Sequence, residues 1–173
     1  MIELRAPDAE TAIAAIRKGW MHDDERNWRW GFGRGEPGRV KAVAALVDIL
    51  TPDQNRLVRE VQIDGERIGL LVGQHRGVET RSVIVQPYLL SPCEEALEEF
   101  CAMLFSAGKG RVFRITAELL TPAREEKAMF RSLGFREEGC LRKAHWNGIN
   151  AIDRVILAML LPAWSRRGLR NVA

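Results

Sequence analysis

The order of predicted secondary structure indicates an α/β (α+β) fold with a mixed, mostly antiparallel sheet of six or seven strands and helices on both faces. Two apolar runs with a period of two flank Asp64-Gly65, a pair typical of a hairpin turn. An amphipathic helix, from Pro92 to about Ala107, lies between a strand ending at Gln86 and another from Arg111 to Leu119. A helix between two strands favours a crossover, which makes those strands parallel.

Each element is predicted from a local pattern: strands from alternation, helices from a 3.6-residue period, and loops from glycine and proline. The predicted strands are residues 2–6, 57–63, 67–73, 80–86, 111–119, 135–143 and 150–161, and the predicted helices are 9–19, 40–50, 92–107 and 121–133. Asp8 is expected to cap the first helix and Gly134 to end the last one. Gly31 to Gly38 is predicted to be a loop because it contains four glycines and a proline.

Composition is typical of a soluble globular protein, with 46% hydrophobic and 28% charged residues. We expect one domain over residues 1–164 and a short basic tail over 165–173. The net charge of +3 is small and no basic stripe is visible, so nucleic acid is not an expected partner. Three cysteines without metal-type spacing indicate neither a disulfide framework nor a zinc site. Without a signal peptide or a membrane-spanning run, the expected location is the cytoplasm.

The most specific motif lies in the C-terminal third of the chain. Residues 130–142, FRSLGFREEGCLR, resemble the Y-x-x-x-G-F-x-x-E-G-x-x-R stretch of the GNAT superfamily of acyltransferases. The Asn147-Gly148 turn, Asp153 and the final LLPAW resemble the Rim-type branch, which acetylates ribosomal-protein N-termini and small amines. The resemblance covers most of residues 1–164. It implies a sheet with a splayed central parallel pair, and transfer of an acyl group from acetyl-CoA or another acyl thioester to an amine.

The resemblance also implies where the donor would bind. Backbone groups of the splayed strand, at Val83, Ile84 and Val85, would pair with the pantetheine amides. The start of the following helix, with Ser91 and Cys93, would face the pyrophosphate, as helix N-termini generally bind anions. Phe130 takes the position where the family commonly has a tyrosine that protonates the departing thiolate.

This chain departs from the family pattern at that donor site. The family has a glycine-rich loop there, whereas no glycine occurs between Gln86 and Leu97. Residues 91–94, SPCE, have the pattern of a capping box with Ser91 as N-cap, which would engage the helix-start amides internally. Glu94 and Glu95 would bring negative charge to the pyrophosphate. The sequence therefore predicts an atypical donor site.

Candidates for the remaining roles each have a structural alternative. Glu79 could serve as the general base, or it could be an exposed carboxylate paired with a nearby arginine. Trp28 and Trp30 could contact a substrate or partner, since residues two apart cannot share a helix face, or they could pack on the sheet. His145 is a further candidate for contact with substrate, and an isolated histidine is often only structural.

Two functions therefore remain open at the level of sequence. The first is an N-acyltransferase acting on a small amine or a protein N-terminus. The second is a catalytically inactive GNAT-fold protein that binds another protein or a metabolite, in which exposed aromatic residues would anchor the partner. Association as a homodimer is compatible with both.

Overall fold

One mixed sheet organises the computed structural model, which describes residues 1–18, 35–51, 53–76, 81–107, 112–146 and 150–170. Within these residues the sheet has seven strands in the order β1-β2-β3-β4-β5-β7-β6. The strands are β1 Ile2–Arg5, β2 Arg56–Ile63, β3 Glu66–His75, β4 Ser82–Leu89, β5 Arg114–Leu120, β6 Arg136–Trp146 and β7 Ala151–Leu160. The helices are α1 Ala9–Lys18, α2 Gly35–Leu50, α3 Glu94–Ala107, α4 Arg124–Ser132 and α5 Leu161–Arg170.

Strand pairing confirms the predicted fold class. β4 and β5 are parallel, and the other neighbouring strands are antiparallel. The β2–β3 hairpin turns at Asp64 and Gly65, whose φ angles of 51° and 83° are both positive, as a two-residue hairpin loop requires. The crossover through α3 returns the chain to the end of the sheet where β4 starts. β5 therefore runs in the same direction as β4, and the two strands are parallel.

Two apolar clusters place the helices on opposite faces of the sheet. Leu70 and Val72 of β3 and Tyr88 of β4 pack with residues of α1 and α2. Val83 and Val85, at alternate positions of β4, pack on the other face with α3 and α4. Since side chains alternate between the faces of a strand, one face of β4 covers each cluster.

Helix α4 ends as the sequence predicts. Gly134 has a φ of 88°, its N–H bonds the carbonyl of Arg131 (2.9 Å), and the N–H of Phe135 bonds the carbonyl of Phe130 (3.1 Å). This pair of bonds is a Schellman motif, which glycine favours because the position needs a left-handed backbone. The motif brings the rings of Phe130 and Phe135 into an edge-to-face contact at 4.9 Å.

Several predicted boundaries are wrong. Helix α2 begins at Gly35, inside the segment predicted as a loop, and α4 begins at Arg124 rather than at residue 121. β4 does not end at Gln86 but continues through Pro87 to Leu89.

The chain also has a helix that the sequence did not predict. The sequence predicts the end of a strand at residues 160 and 161, but α5 begins at Leu161 and spans the predicted domain boundary at residue 164. Its Trp164 packs against Phe105 of α3, with ring centroids 5.6 Å apart. None of the helices in the described ranges is long and apolar enough to span a bilayer.

Tyr88 is the only tyrosine in the chain, so its ionisation can be followed alone. Burial raises the pKa of Tyr88 from 10.0 to about 12, and the charge of Arg56 opposes that shift. Because the neutral form is favoured in the folded protein, this contribution to stability is complete below pH 10 and is lost between about pH 10 and 12.

We predict that absorbance titration of tyrosinate gives a midpoint near 12 in the folded protein and about 10 in denaturant. Tyr88→Phe should remove the corresponding fall in stability above pH 10. An equal midpoint in both states would show that the Tyr88 side chain is solvated.

Candidate functional site

The central parallel strands separate soon after they begin to pair. Three register pairs join them, Ser82–Arg114, Val83–Ile115 and Ile84–Thr116. Beyond these pairs β4 continues to Leu89 and β5 to Leu120. The two strands therefore enclose a wedge-shaped opening, which we call the cleft, and its apex lies just past Ile84 and Thr116.

Hydrogen bonds to β3 determine which backbone groups of β4 face the cleft. The N–H of Arg76 bonds the carbonyl of Ser82 (3.1 Å), and the N–H of Leu90 bonds the carbonyl of Ile68 (2.7 Å). The register between these bonds is continuous. Bonded positions alternate in an antiparallel ladder, so even-numbered residues of β4 bond to β3. Its odd-numbered residues, Val83 to Leu89, direct their backbone groups toward β5.

Pro87 is one of these odd-numbered positions. Proline has no N–H, so it is normally excluded from central strands. Pro87 is tolerated in β4 because its ring nitrogen faces the cleft and the ladder to β3 does not need it. The same missing donor removes one of the bonds with which the β4–β5 ladder could continue beyond Val85. This edge therefore presents the carbonyls of Val85 and Pro87 and the N–H of Leu89.

The opposite edge of the cleft is formed by β5. The N–H of Leu161 bonds the carbonyl of Phe113 (2.9 Å), so odd-numbered residues of β5 bond to β7. Even-numbered residues, beginning with Arg114, therefore direct their backbone toward β4. The first such residue beyond the paired segment is Glu118. Its N–H and the carbonyl of Val85 thus mark the apex of the cleft.

The start of α3 corrects the predicted capping box. The first helical bond runs from the N–H of Leu97 to the carbonyl of Cys93 (3.2 Å), so Cys93 is the N-cap. Ser91 is exposed and lies two residues earlier, in a short link that begins at Leu90. The prediction failed because β4 extends past Pro87 and moves the helix start toward the C-terminus.

The Cys93 side chain is buried at this helix start. Burial raises the pKa of the Cys93 thiol, and hydrogen bonds from the backbone of Ala96 and Glu95 partly oppose the rise. The carboxylate of Glu95 adds to the rise and accepts a weak bond from the thiol at 3.8 Å. Cys93 is therefore held as a neutral thiol that caps α3.

Glu118 joins the apex to a cluster of charged side chains. The odd-numbered residues of β5, from Ile115 to Leu119, pack toward α3 and α4. Because side chains alternate along a strand, the Glu118 side chain lies on the opposite face of the sheet. One carboxylate oxygen pairs with Arg76 and the other with Arg154 of β7, at 3.1 Å. The Glu118 side chain is only 14% exposed, so these two guanidinium groups, rather than water, compensate most of its charge.

A second ion pair lies nearer the closed end of the cleft on β5. Arg114 binds both carboxylate oxygens of Glu138 on β6, one of them at 3.0 Å. Hydrogen bonding from Arg114 lowers the pKa of Glu138. Arg114 is neutralised in this way. Among the described residues of the cluster, Glu118 with Arg76 and Arg154 therefore leaves one excess positive charge at the apex.

Comparison with solved structures finds the same arrangement of strands and helices in acetyltransferases. RimJ from Mycobacterium smegmatis, solved with a coenzyme A disulfide, is 20% identical with a TM-score of 0.74, over 98% of this chain and 89% of that one. Spermidine N-acetyltransferase from Vibrio cholerae, solved with coenzyme A and spermine, is 15% identical with a TM-score of 0.71, over 95% and 98%. RimL, solved with coenzyme A, is 16% identical with a TM-score of 0.71, over 94% and 95%.

The chain has the GNAT fold. At these identities the likeness establishes the fold alone. No protein-family model matches the sequence, and none of the curated proteins matches it significantly. The neighbours include RimJ and RimL, in agreement with the resemblance of the C-terminal motif to the Rim-type branch.

The GNAT fold places the predicted donor residues in different surroundings. Val83 and Val85 direct backbone toward β5 and bury their side chains, while Ile84 is half-buried. Phe130 is fully buried against Phe135, so its ring lies in the core. Cys93 is buried at the start of α3.

The other predicted residues are only partly covered by the structure. His145 of β6 is half-buried and lies opposite Ile152, beyond the open end of the cleft. Glu79, Trp28 and Trp30 lie outside the described residues. Their proposed roles as base and as contacts for a substrate or partner therefore stay predictions.

Sequence reasoning missed Glu118. The one available signal was a single carboxylate within the apolar run ITAELL of a strand predicted to be central. A buried carboxylate in such a strand needs partners. Its partners, Arg76 and Arg154, come from residues 42 and 36 positions away, so the sequence did not identify them.

A separate cavity of about 450 Å³ lies where α2 leads into β2, near Leu50, Arg56 and Val58. The Arg56 guanidinium is already bonded there to Gln74 (2.9 Å) and to the carbonyl of Asp48 (2.7 Å). This cavity is at the opposite end of the sheet from the open side of the cleft. Within the described residues, no three His, Cys, Asp or Glu side chains are grouped as a metal site.

The burial of two cysteines gives a prediction for their reactivity. Cys140 is exposed, whereas Cys93 and Cys101 are buried. Alkylation needs an accessible thiolate, so iodoacetamide should modify Cys140 first and the other two only when the protein unfolds. Peptide mass spectrometry after timed quenching would measure the order. Modification of Cys93 as fast as Cys140 would show that the start of α3 opens in the native state.

Proposed function

We propose that this protein is an N-acetyltransferase that transfers an acetyl group from acetyl-CoA to a primary amine. The observation that carries the proposal is a carboxylate, Glu118, at the apex of an opening between two parallel strands. One edge of the opening can align a donor that contains amides, and the carboxylate can receive a proton from an amine. Both requirements of acyl transfer to nitrogen are thus met at one place.

The residues along the cleft fit the pantetheine arm of acetyl-CoA. Its amides need both acceptors and donors, and β4 offers the carbonyls of Val85 and Pro87 and the N–H of Leu89. The groups lie along one extended edge, as in the addition of a strand to a sheet. When bound, the donor supplies an acetyl group activated as a thioester.

On the acceptor side, Glu118 is the proposed general base. The amine nitrogen forms the new C–N bond as the C–S bond breaks, and the amine proton passes to the Glu118 carboxylate. The departing sulfur then takes a proton from solvent, because Phe130, which stands at the position of the family's tyrosine, has none to give. Arg76 and Arg154 favour the neutral, nucleophilic form of an amine nearby, since like charges disfavour its protonation.

The pyrophosphate end of the donor site supports the prediction that it is atypical. Pro92 lacks an N–H, and the Cys93 thiol accepts a bond from the helix start. Glu94 and Glu95 occupy the first turn, where they favour the helix but repel an anion. We infer that the pantetheine arm contributes most of the donor affinity.

The alternative is a GNAT-fold protein that binds a partner without catalysis. The complete burial of Phe130 favours this alternative, because the core encloses the side chain at the position where the family commonly has its thiolate-protonating tyrosine. Trp28 and Trp30 would be the partner-binding residues in that case. Donor binding and the effect of Glu118 distinguish the two functions.

Calorimetric titration with acetyl-CoA tests the donor site first. We expect binding in the wild-type protein, and two- to fivefold tighter binding for each of Glu94→Gln and Glu95→Gln, because each change removes about 0.3–1 kcal/mol of repulsion at the helix start. Glu99→Gln, an exposed position on the same helix, is the matched control and should leave affinity unchanged. The absence of binding at millimolar acetyl-CoA would reject the acetyltransferase.

The role of Glu118 is tested with Glu118→Gln. We expect kcat/KM for acetylation of an amine to fall by about 10²–10⁴, the usual contribution of a general base, with little change in acetyl-CoA affinity. Glu138→Gln also removes an ion-paired carboxylate on the same sheet and is the control.

Thermal unfolding of both variants would identify any loss of folded protein. Activity of Glu118→Gln within threefold of the wild type would eliminate Glu118 as the base and return attention to Glu79.

A further inference from the structure

The two arginines around Glu118 limit which amines can reach it. Both carboxylate oxygens are occupied, one by Arg76 and the other by Arg154. An ammonium group that approaches Glu118 competes with these guanidinium groups for the oxygen lone pairs, so it can displace one of them. The displaced group is Arg76, because it lies outside the strands and its side chain is 52% exposed, compared with 33% for Arg154.

A guanidinium released at the edge of this site can bind another anion. Arg114 is already held by Glu138, and Arg154 keeps the second oxygen of Glu118. The side chains that β4 directs to this face are Ser82, Ile84, Gln86 and Tyr88, none of which carries a negative charge at neutral pH. Among the described neighbours on β4 and β5, none offers Arg76 a free negative charge. The ligand itself is therefore the remaining source of one.

We propose that the acceptor amine carries a carboxylate close to its nitrogen, and that Arg76 selects it. This inference rests on the proposed function and specifies its substrate class. The amine binds Glu118 while the ligand's carboxylate binds the guanidinium that has moved aside, in the planar two-point geometry that arginine favours. A polyamine brings further cations to a site with an excess positive charge and offers no acceptor to Arg76.

The same chemistry has two sources, a free amino acid and the N-terminus of a peptide with an acidic second residue. The free amino acid arm compares L-alanine with L-alaninamide, which differ in the carboxylate. The peptide arm compares Ser-Asp-Ala-Gly-amide with Ser-Lys-Ala-Gly-amide. Spermidine is the cationic reference in both arms.

Two measurements are made on the purified full chain. Acetylation of each acceptor with acetyl-CoA gives kcat/KM, and calorimetry without donor gives the affinity of each acceptor. We expect at least tenfold preference for the carboxylate-bearing member of one pair, and weaker use of spermidine. In Arg76→Gln the preference for the carboxylate-bearing member should fall to about twofold or less, in kcat/KM and in acceptor affinity alike.

The control is Arg142→Gln, which removes one positive charge from an exposed position of β6 and should leave the preference intact. Thermal unfolding of the two variants separates a structural role of the Arg76–Glu118 pair from selection. If Arg76→Gln unfolds at a lower temperature but keeps the full preference, the inference is wrong.

Failure of the inference and failure of the proposed function give different results. Equal or better use of the carboxylate-free member in both pairs, or better use of spermidine than of every carboxylate-bearing acceptor, overturns the inference and leaves the acetyltransferase standing. If no acceptor is acetylated, the binding experiment decides. Carboxylate-selective binding that Arg76→Gln abolishes supports the anion-selecting site without catalysis, and the absence of such selectivity overturns it.

Discussion

The end of the β4–β5 ladder is the constraint on which the candidate site depends. Three register pairs hold the strands together, and beyond them Pro87 lacks the N–H for one further ladder bond. The antiparallel ladder to β3 continues without interruption, since it uses the other set of backbone groups. A central strand is thus fully bonded on one edge and open on the other, which gives the sheet a cleft in its middle rather than at its rim.

This cleft also accounts for the position of the charged cluster. A residue of β5 just beyond the last pair directs its backbone into the cleft and its side chain onto one face of the sheet. Glu118 has that position. A carboxylate with little solvent needs cations, and Arg76 and Arg154 provide them from the turn after β3 and from β7. Backbone groups without a ladder partner and charged side chains therefore meet at the apex.

The start of α3 and the apex of the cleft, the proposed donor and acceptor ends, differ in charge. Helix α3 begins with Glu94 and Glu95, and its N-cap is a buried thiol rather than an open set of amides. The apex, in contrast, carries an excess of positive charge. Solved neighbours with the same fold include structures with bound coenzyme A. A protein that uses this fold with these charges would depend on the cleft edges for its donor and on arginine for its acceptor.

The order of elements and the fold class could be predicted from the sequence because periodicity, turn residues and crossover geometry are local or nearly local. The Asp64-Gly65 turn and the Gly134 helix end depend on backbone angles that few residues adopt, so their residues identify them. The extension of β4 past Pro87 could not be predicted, since proline normally ends a central strand. Only the register shows that its nitrogen faces an opening.

Helix α5 and the Glu118 cluster are decided in the same way by distant parts of the chain. The sequence predicts that the last strand continues to residue 161, but α5 begins at Leu161 and its Trp164 packs on Phe105 of α3. The sequence by itself determined the GNAT-like order and the C-terminal motif. The tertiary structure alone decided which carboxylate reaches the cleft and which arginines hold it, because ion pairs depend on proximity in space and not on spacing along the chain.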